Sequence, residues 1–364
     1  MSCPVTKEKV EFVTKQFLCN VPLNNFQWND IFSDLILDEI AQQTLLDSTI
    51  NSNLVLHLPL PTNYQKSFLK RIIDCLEECR QRYSELKETV ICDEIYSAYG
   101  RLVAIAVTED NFKHYMIKDK DKVISLKESN NLISDGTTGL RTWQAALVLS
   151  EWIFKNESLF KNETIMELGA GVGLIGLVLR ECSPKKIYLT DCHQTVLNNL
   201  CKNLKINIDK YRDKYRPDAQ ENEDSSFPRG FPIEDRVEII CASRCLYHNV
   251  GPPDTYVLKL PWEEVNIEEC HKLGVIDSII AADIVYDEDS FVALVGALKC
   301  LTESCSVKRV IFSCTERNPE TLKSFLLQMN SASFFQQELE IPVQNNFIWP
   351  TDTPVKLFSF KRSL

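Results

Sequence analysis

A chain of 364 residues, 44% hydrophobic and 25% charged, has globular composition and the length for one large domain with an appendage or for two domains. Its net charge of −11 argues against a nucleic-acid binder, which usually carries a basic face, and suits a basic protein partner. The 14 cysteines form no C-x-x-C pair; with no apolar leader and no membrane-length apolar run, they are expected as reduced thiols of a cytoplasmic protein that touches no membrane.

Residues 1–110 predict a helical region. Apolar residues recur at helical spacing in VEFVTKQFLCNV, FSDLILDEIAQQTLL, the long amphipathic SFLKRIIDCLEECRQRYSELK and CDEIYSAYGRLVAIAV, with LHLPLPTNYQ as a proline-marked loop. No catalytic cluster appears there. The region reads as a helical bundle, or more sharply as a cap that recognises a macromolecular substrate.

From residue 111 the pattern changes. HYMIK, DKVISLKE and NNLIS are expected as short strands, then a glycine–threonine loop leads into a helix beginning at Arg141 or Thr142. From Lys161 strands and helices alternate: TIMEL, GLIGLVLREC, KKIYLTD, HQTVLNNLCKNLKIN. Residues 209–235 are polar and proline-bearing, an insertion or long loop. RVEIICAS resumes a strand, RCLYHNVGPPDTY reads as loop, and SIIAADIVY is a buried strand. SFVALVGALKCLTE is a helix, VKRVIFSCT a strand, and NPETLKSFLLQMN a helix opened by Asn318-Pro319. FFQQELEIPV and VKLFSFKR close the chain as two strands. The alternation predicts an α/β domain over 111–364, with a mostly parallel sheet, helices on both faces and an antiparallel end.

The chemistry gathers at TIMELGAGVGLIG. Gly169, Gly171 and Gly173 make a tight turn between strand and helix, where unpaired N–H groups favour a ligand. Residues 171–176 satisfy G-x-G-x-x-G, and Asp191 stands twenty residues beyond Gly171. An NAD(P)-dependent oxidoreductase is therefore one reading. S-adenosylmethionine is the other. Glu167 at the strand end repels a pyrophosphate but suits a cationic amino group; Asp191, ending the next strand, can take ribose hydroxyls under either reading. Ala281-Ala282-Asp283-Ile284-Val285-Tyr286 brings small residues, an acid and a phenol to a third strand end. Ligands of open α/β sheets bind outside such ends. The five histidines pair with no serine or cysteine nucleophile, no metal-ligand cluster is visible, and no N-P-P-Y-type motif marks a nucleic-acid methylase. A non-catalytic binding protein on the same fold is a further alternative.

Thr138 to Ala146, Glu167 to Gly173, Asp191, Trp262 and Asp283-Ile284-Val285-Tyr286 together resemble the seven-β-strand methyltransferases, specifically the family 16 group of protein-lysine methyltransferases. TTGLRTWQAALVLSEW, TDCH and TERNPET resemble the members of that group that act on translation elongation factor 2. The resemblance implies a seven-stranded, mostly parallel Rossmann-like sheet beside the N-terminal helical region, S-adenosylmethionine as cofactor, and a monomer whose substrate is a protein. It implies that Trp143, Gly169, Ala170, Gly171 and Gly173 contact the cofactor, with Glu167 at its amino group. Asp191 is implied at the ribose, and Trp262 and Ala282 at the adenine. Asp283 is implied as the residue that draws in the substrate ammonium, with Tyr286 folded back over the same pocket to orient the amine.

Overall fold

The computed structural model describes residues 4–82, 89–106, 111–131, 133–134, 136–214, 245–249 and 252–362. Two units divide between Glu128 and Ser129.

In the first unit, α1 (Pro4–Leu18), α2 (Ile31–Leu35), α3 (Glu39–Ser48), α4 (Asn53–His57), α5 (Thr62–Arg82) and α6 (Asp93–Ala104) enclose a core that includes Val13, Phe17, Leu35, Phe68, Ile72 and Ile95. FSDLILDEIAQQTLL is two helices, not one. Asp38 leaves helical geometry and its side chain accepts from the Ala41 N–H at 3.1 Å, capping α3. A carboxylate at that position competes successfully with continuation of the helix. The hairpin of β1 (Phe112–Ile117) and β2 (Lys122–Lys127) belongs to this unit. The Phe112 N–H donates to the Pro59 carbonyl at 3.0 Å, and buried His114 bridges the Leu58 carbonyl and the Ser125 hydroxyl. The unit boundary thus falls after the hairpin rather than before it. Of NNLIS, only an isolated bridge from Ser134 to Thr137 is found among the described residues.

The second unit runs α7 (Gln144–Lys155), β3 (Thr164–Leu168), α8 (Leu174–Arg180), β4 (Lys186–Asp191), α9 (Gln194–Lys214), β5 (Cys245–Asn249), β6 (Asp254–Lys259), α10 (Ile267–Leu273), β7 (Ser278–Ala282), α11 (Phe291–Ser304), β8 (Arg309–Thr315), α12 (Pro319–Ser331), β9 (Phe334–Leu339) and β10 (Val355–Arg362). The sheet order is β5-β6-β4-β3-β7-β8-β10-β9. The five strands from β6 to β8 are parallel; β10 is antiparallel to both neighbours and β5 to β6. Six strands, β3, β4 and β7 to β10, match expected ones, and β6 begins in the stretch RCLYHNVGPPDTY, read as loop. The eighth, β5, lies in a stretch read as loop, where His248 stacks on Tyr256 and Cys245 and Tyr247 are buried. A short strand with polar alternate residues beside Gly-Pro-Pro carries little pattern of its own. RVEIICAS and residues 215–235 lie outside the described residues, while α9 continues through Lys214.

The strand order reverses at β3, with β4 and β6 on one side and β7 and β8 on the other. Met166 and Leu168 enter the core cluster shared with α10, α11 and α12. Alternation along a strand then turns Glu167 to the opposite face. On α7, Glu151 is buried and accepts from the backbone N–H groups of Asn345, Asn346 and Phe347 at 3.3, 2.7 and 2.9 Å, and from Asn346 Nδ2 at 3.2 Å. Gln144, two turns earlier, donates to the Pro350 and Thr353 carbonyls at 2.7 and 2.8 Å. One helix face therefore holds the long β9–β10 connection. Glu151→Ala leaves three backbone donors without their acceptor and is expected to destabilise this unit by about 3 kcal/mol. Hydrogen exchange should then accelerate at residues 345–347 while β3 stays protected.

Candidate active site at the strand ends

Past β3 the chain turns through Gly169 at φ 65°, Gly171 at φ 52° and Gly173 at φ 93°, the last opening α8. A side chain at Gly169 would place Cβ 2.6 Å from Ile284 Cγ2, and one at Gly173 would overlap Leu200. The left-handed backbone and the crowding both demand glycine. The turn is wired to the end of β4. The Ala170 N–H donates to the Thr190 carbonyl at 2.8 Å, Thr190 Oγ1 to the Glu167 carbonyl at 2.8 Å, and the Gly171 N–H to Asp191 Oδ2 at 3.2 Å. Asn203 reaches in from α9 and donates to the Val172 carbonyl at 2.9 Å.

Asp191 also accepts from the His193 N–H at 3.1 Å. Burial pushes its carboxyl up, and the His193, Gly171 and Cys192 N–H groups pull it back. Glu167 is 2% exposed, and its Oε2 has no partner among the described residues. Burial holds this carboxyl well above the usual carboxylate range; the Asp191 charge adds to the rise and the Gly176 N–H opposes it. Arg141 Nε and His193 Nδ1, in the loops beside the same strand ends, are likewise buried without a partner. Orphaned polar atoms at a glycine turn mark a ligand cradle. Its two neighbouring carboxyls favour a cationic ligand over a pyrophosphate.

Ala282, half-buried, ends β7. Asp283 then takes φ 55° and the strand stops there, as its reading at a strand end expected, while Ile284 to Tyr286 lie beyond the strand. Its carboxylate accepts from the Thr315 N–H and Thr315 Oγ1, both at 2.8 Å, and pairs with both terminal nitrogens of Arg317 at 3.4 and 3.1 Å. Trp143, at the start of α7, donates from Nε1 to the Thr138 carbonyl at 3.0 Å. The Arg317 and Arg141 guanidinium carbons lie 4.8 and 5.1 Å from its ring centre. Trp262 opens a short turn after β6, packs on the core cluster and follows Leu260, whose N–H donates to the Asp191 carbonyl at 2.9 Å. Tyr286 is 60% exposed, on the rim, while Ile284 and Val285 turn into the core.

Two groups of expected residues thus come together. Glu167, Gly169, Ala170, Gly171, Gly173 and Asp191 form one; Trp143 and Asp283 are joined by Arg317 into another. Arg141, Thr315 and Arg317 lie in the quoted motifs without a role read for them, and Asn203 carried no motif, because the partners of Thr315, Arg317 and Asn203 are distant in sequence.

The profile described as lysine methyltransferase matches residues 118–253 and 250–332. The chain belongs to the lysine methyltransferase family. The protein-lysine N-methyltransferase EEF2KMT of Bos taurus is 27% identical over 96% of this chain and 95% of its own length. That of Homo sapiens is 28% identical over 87% and 86%. The protein-lysine N-methyltransferase EFM3 of Chaetomium thermophilum is 26% identical over 90% and 92%. Family membership removes the oxidoreductase reading, although the G-x-G-x-x-G spacing satisfies it.

The raised Glu167 carboxyl has a consequence for stability. Its proton is held more tightly in the folded chain than in the unfolded one, so stability falls as pH rises above about 4.3, where the unfolded carboxyl ionises. Glu167→Gln removes this burden. The variant's Tm should gain on the wild type progressively as pH rises above about 4. A pH-independent difference would contradict the assignment.

Proposed function

We propose that this chain, a cytoplasmic monomer, transfers methyl groups from S-adenosylmethionine to a lysine of translation elongation factor 2. The observation that carries the proposal is the near end-to-end match to the bovine EEF2KMT. It covers 96% of this chain, including the helical unit that the family profile leaves out. That unit is then assigned to recognition of the protein substrate.

The cradle supports the cofactor. Glu167 Oε2, buried and unpartnered, suits a cationic amino group. Asp191 keeps acceptor capacity for ribose hydroxyls, and Gly169, Ala170, Gly171 and Gly173 present backbone to the ligand's amino-acid end. Trp262 and Ala282 are assigned to the adenine side, and Trp143 to the open edge. When bound, S-adenosylmethionine supplies a methyl group already activated on a sulfonium.

The protein's remaining task is to position the amine and manage its proton. A free lysine is neutral in only roughly one molecule in two thousand at pH 7. Asp283, held in place by Thr315, receives the ammonium form. Burial beside a cationic group lowers the amine's pKa, and the proton leaves to water. Tyr286, on the rim, meets the incoming side chain and orients the lone pair.

Purified protein with labelled S-adenosylmethionine and elongation factor 2 is expected to give one labelled protein band. Gly169→Arg, which drives a side chain into Ile284, should abolish it, and Asp283→Ala should slow it by about a hundredfold. S-adenosylmethionine, and not NAD, should raise the wild-type Tm. Label on RNA with none on protein, or undiminished labelling by both variants, would sink the proposal.

A further inference from the structure

The Asp283 carboxylate is fully occupied. An ionised carboxylate offers about four acceptor sites. The Thr315 N–H and hydroxyl take two, and the two terminal nitrogens of Arg317 take the others. An arriving ammonium has no free lone pair to use unless a donor leaves. The Thr315 N–H cannot leave, because it is backbone at the end of β8, where Thr315 pairs with Val355 of β10. Arg317 can. Its side chain is 43% exposed, whereas that of Asp283 is 5% exposed. Its backbone is set between the end of β8, through an N–H bond to the Thr315 carbonyl at 2.9 Å, and the Asn318 cap of α12. Only the side chain needs to move.

Arg317 also places a cation over an aromatic ring, 4.8 Å from the centre of Trp143. A carboxylate on one side and an indole face on the other form a receptor for an alkylammonium. We infer that Arg317 is a resident stand-in for the substrate ammonium: it fills the Asp283–Trp143 slot, and the target lysine enters by exchanging with it. The inference rests on reading Asp283 as the group that receives the lysine. Exchange has a physical advantage over simple entry. Asp283 is never buried unpaired, a costly state. The displaced guanidinium returns to water, from which it is already only half withdrawn. Exchange also admits the protonated amine, the abundant form at neutral pH, and sets a threshold that a weakly bound lysine does not cross.

The test uses two readouts. The first needs neither cofactor nor protein substrate: n-butylamine is titrated into the full chain carrying 5-fluorotryptophan, and the Trp143 fluorine resonance is followed after assignment with Trp143→Phe. Arg317→Ala is expected to bind the amine about fivefold more tightly than wild type, and Arg317→Gln, which keeps hydrogen bonding without charge, to fall between them. The second is steady-state methylation, where Arg317→Ala should lower KM for the protein substrate by about the same factor with kcat unchanged. Equal or weaker amine binding by Arg317→Ala, at unchanged Tm, would overturn the inference; so would a raised KM or a lowered kcat, either of which makes Arg317 a residue that positions Asp283. Failure of the amine titration leaves the methyl-transfer proposal standing, and absence of wild-type methylation would end that proposal whatever the titration shows.

Discussion

The parallel register of β3 between β4 and β7 sets the position of the three acids at the site. Leu168 stands opposite Thr190 on one side and Ala281 on the other. Glu167, Asp191 and Asp283 therefore emerge at the same edge of the sheet, one at the end of each strand. A slip of one residue in β3 would turn Glu167 into the α10–α12 core and Met166 toward the ligand. The apolar wall of that core, with Met166 and Leu168 in it, holds the register. The glycine turn follows from this: Gly171 reaches Asp191, and Gly169 clears Ile284, only while the three strands stay in step.

Charge is separated along that edge. The glycine turn carries two buried carboxyls, the Asp191 charge raising Glu167's cost of ionisation, and no basic side chain answers Glu167 Oε2 among the described residues. The Trp143 side carries two guanidinium groups, one of them matched by Asp283. A cationic cofactor and a cationic side chain must meet for methyl transfer to lysine. Under the proposed function each cation would have its own acid, Glu167 or Asp283, and the second of these is paired with Arg317. The buried Glu167 carboxyl, its Oε2 without a partner, disfavours the folded chain as pH rises. Such local disadvantage is common where a site awaits a ligand.

Much of this was readable in residue order. Strong alternation and helical periodicity placed most elements of the second unit, though not β6 or α10. The glycine spacing located the cradle, and acids at strand ends identified its polar lining. Three features escaped. The helix break at Asp38 depends on a single cap. The strand β5 gains its stability from stacking on Tyr256 and pairing with β6, not from its own composition. The hairpin β1–β2 joins the helical unit through His114 and the Pro59 carbonyl, contacts that no local pattern encodes.

The sequence by itself determined the glycine turn, the acids at the strand ends beside it and the family to which the chain belongs. These are local: a glycine needs φ above zero wherever the turn is made, and an acid after an apolar run ends a strand. Only the tertiary structure decided what each acid is paired with. Glu167 and Asp283 look alike as carboxylates at strand ends, yet one keeps a buried Oε2 without a partner and Arg317, thirty-four residues away, completes the shell of the other. The strength of a charge in a protein depends on its surroundings in space, and the chain order does not contain them.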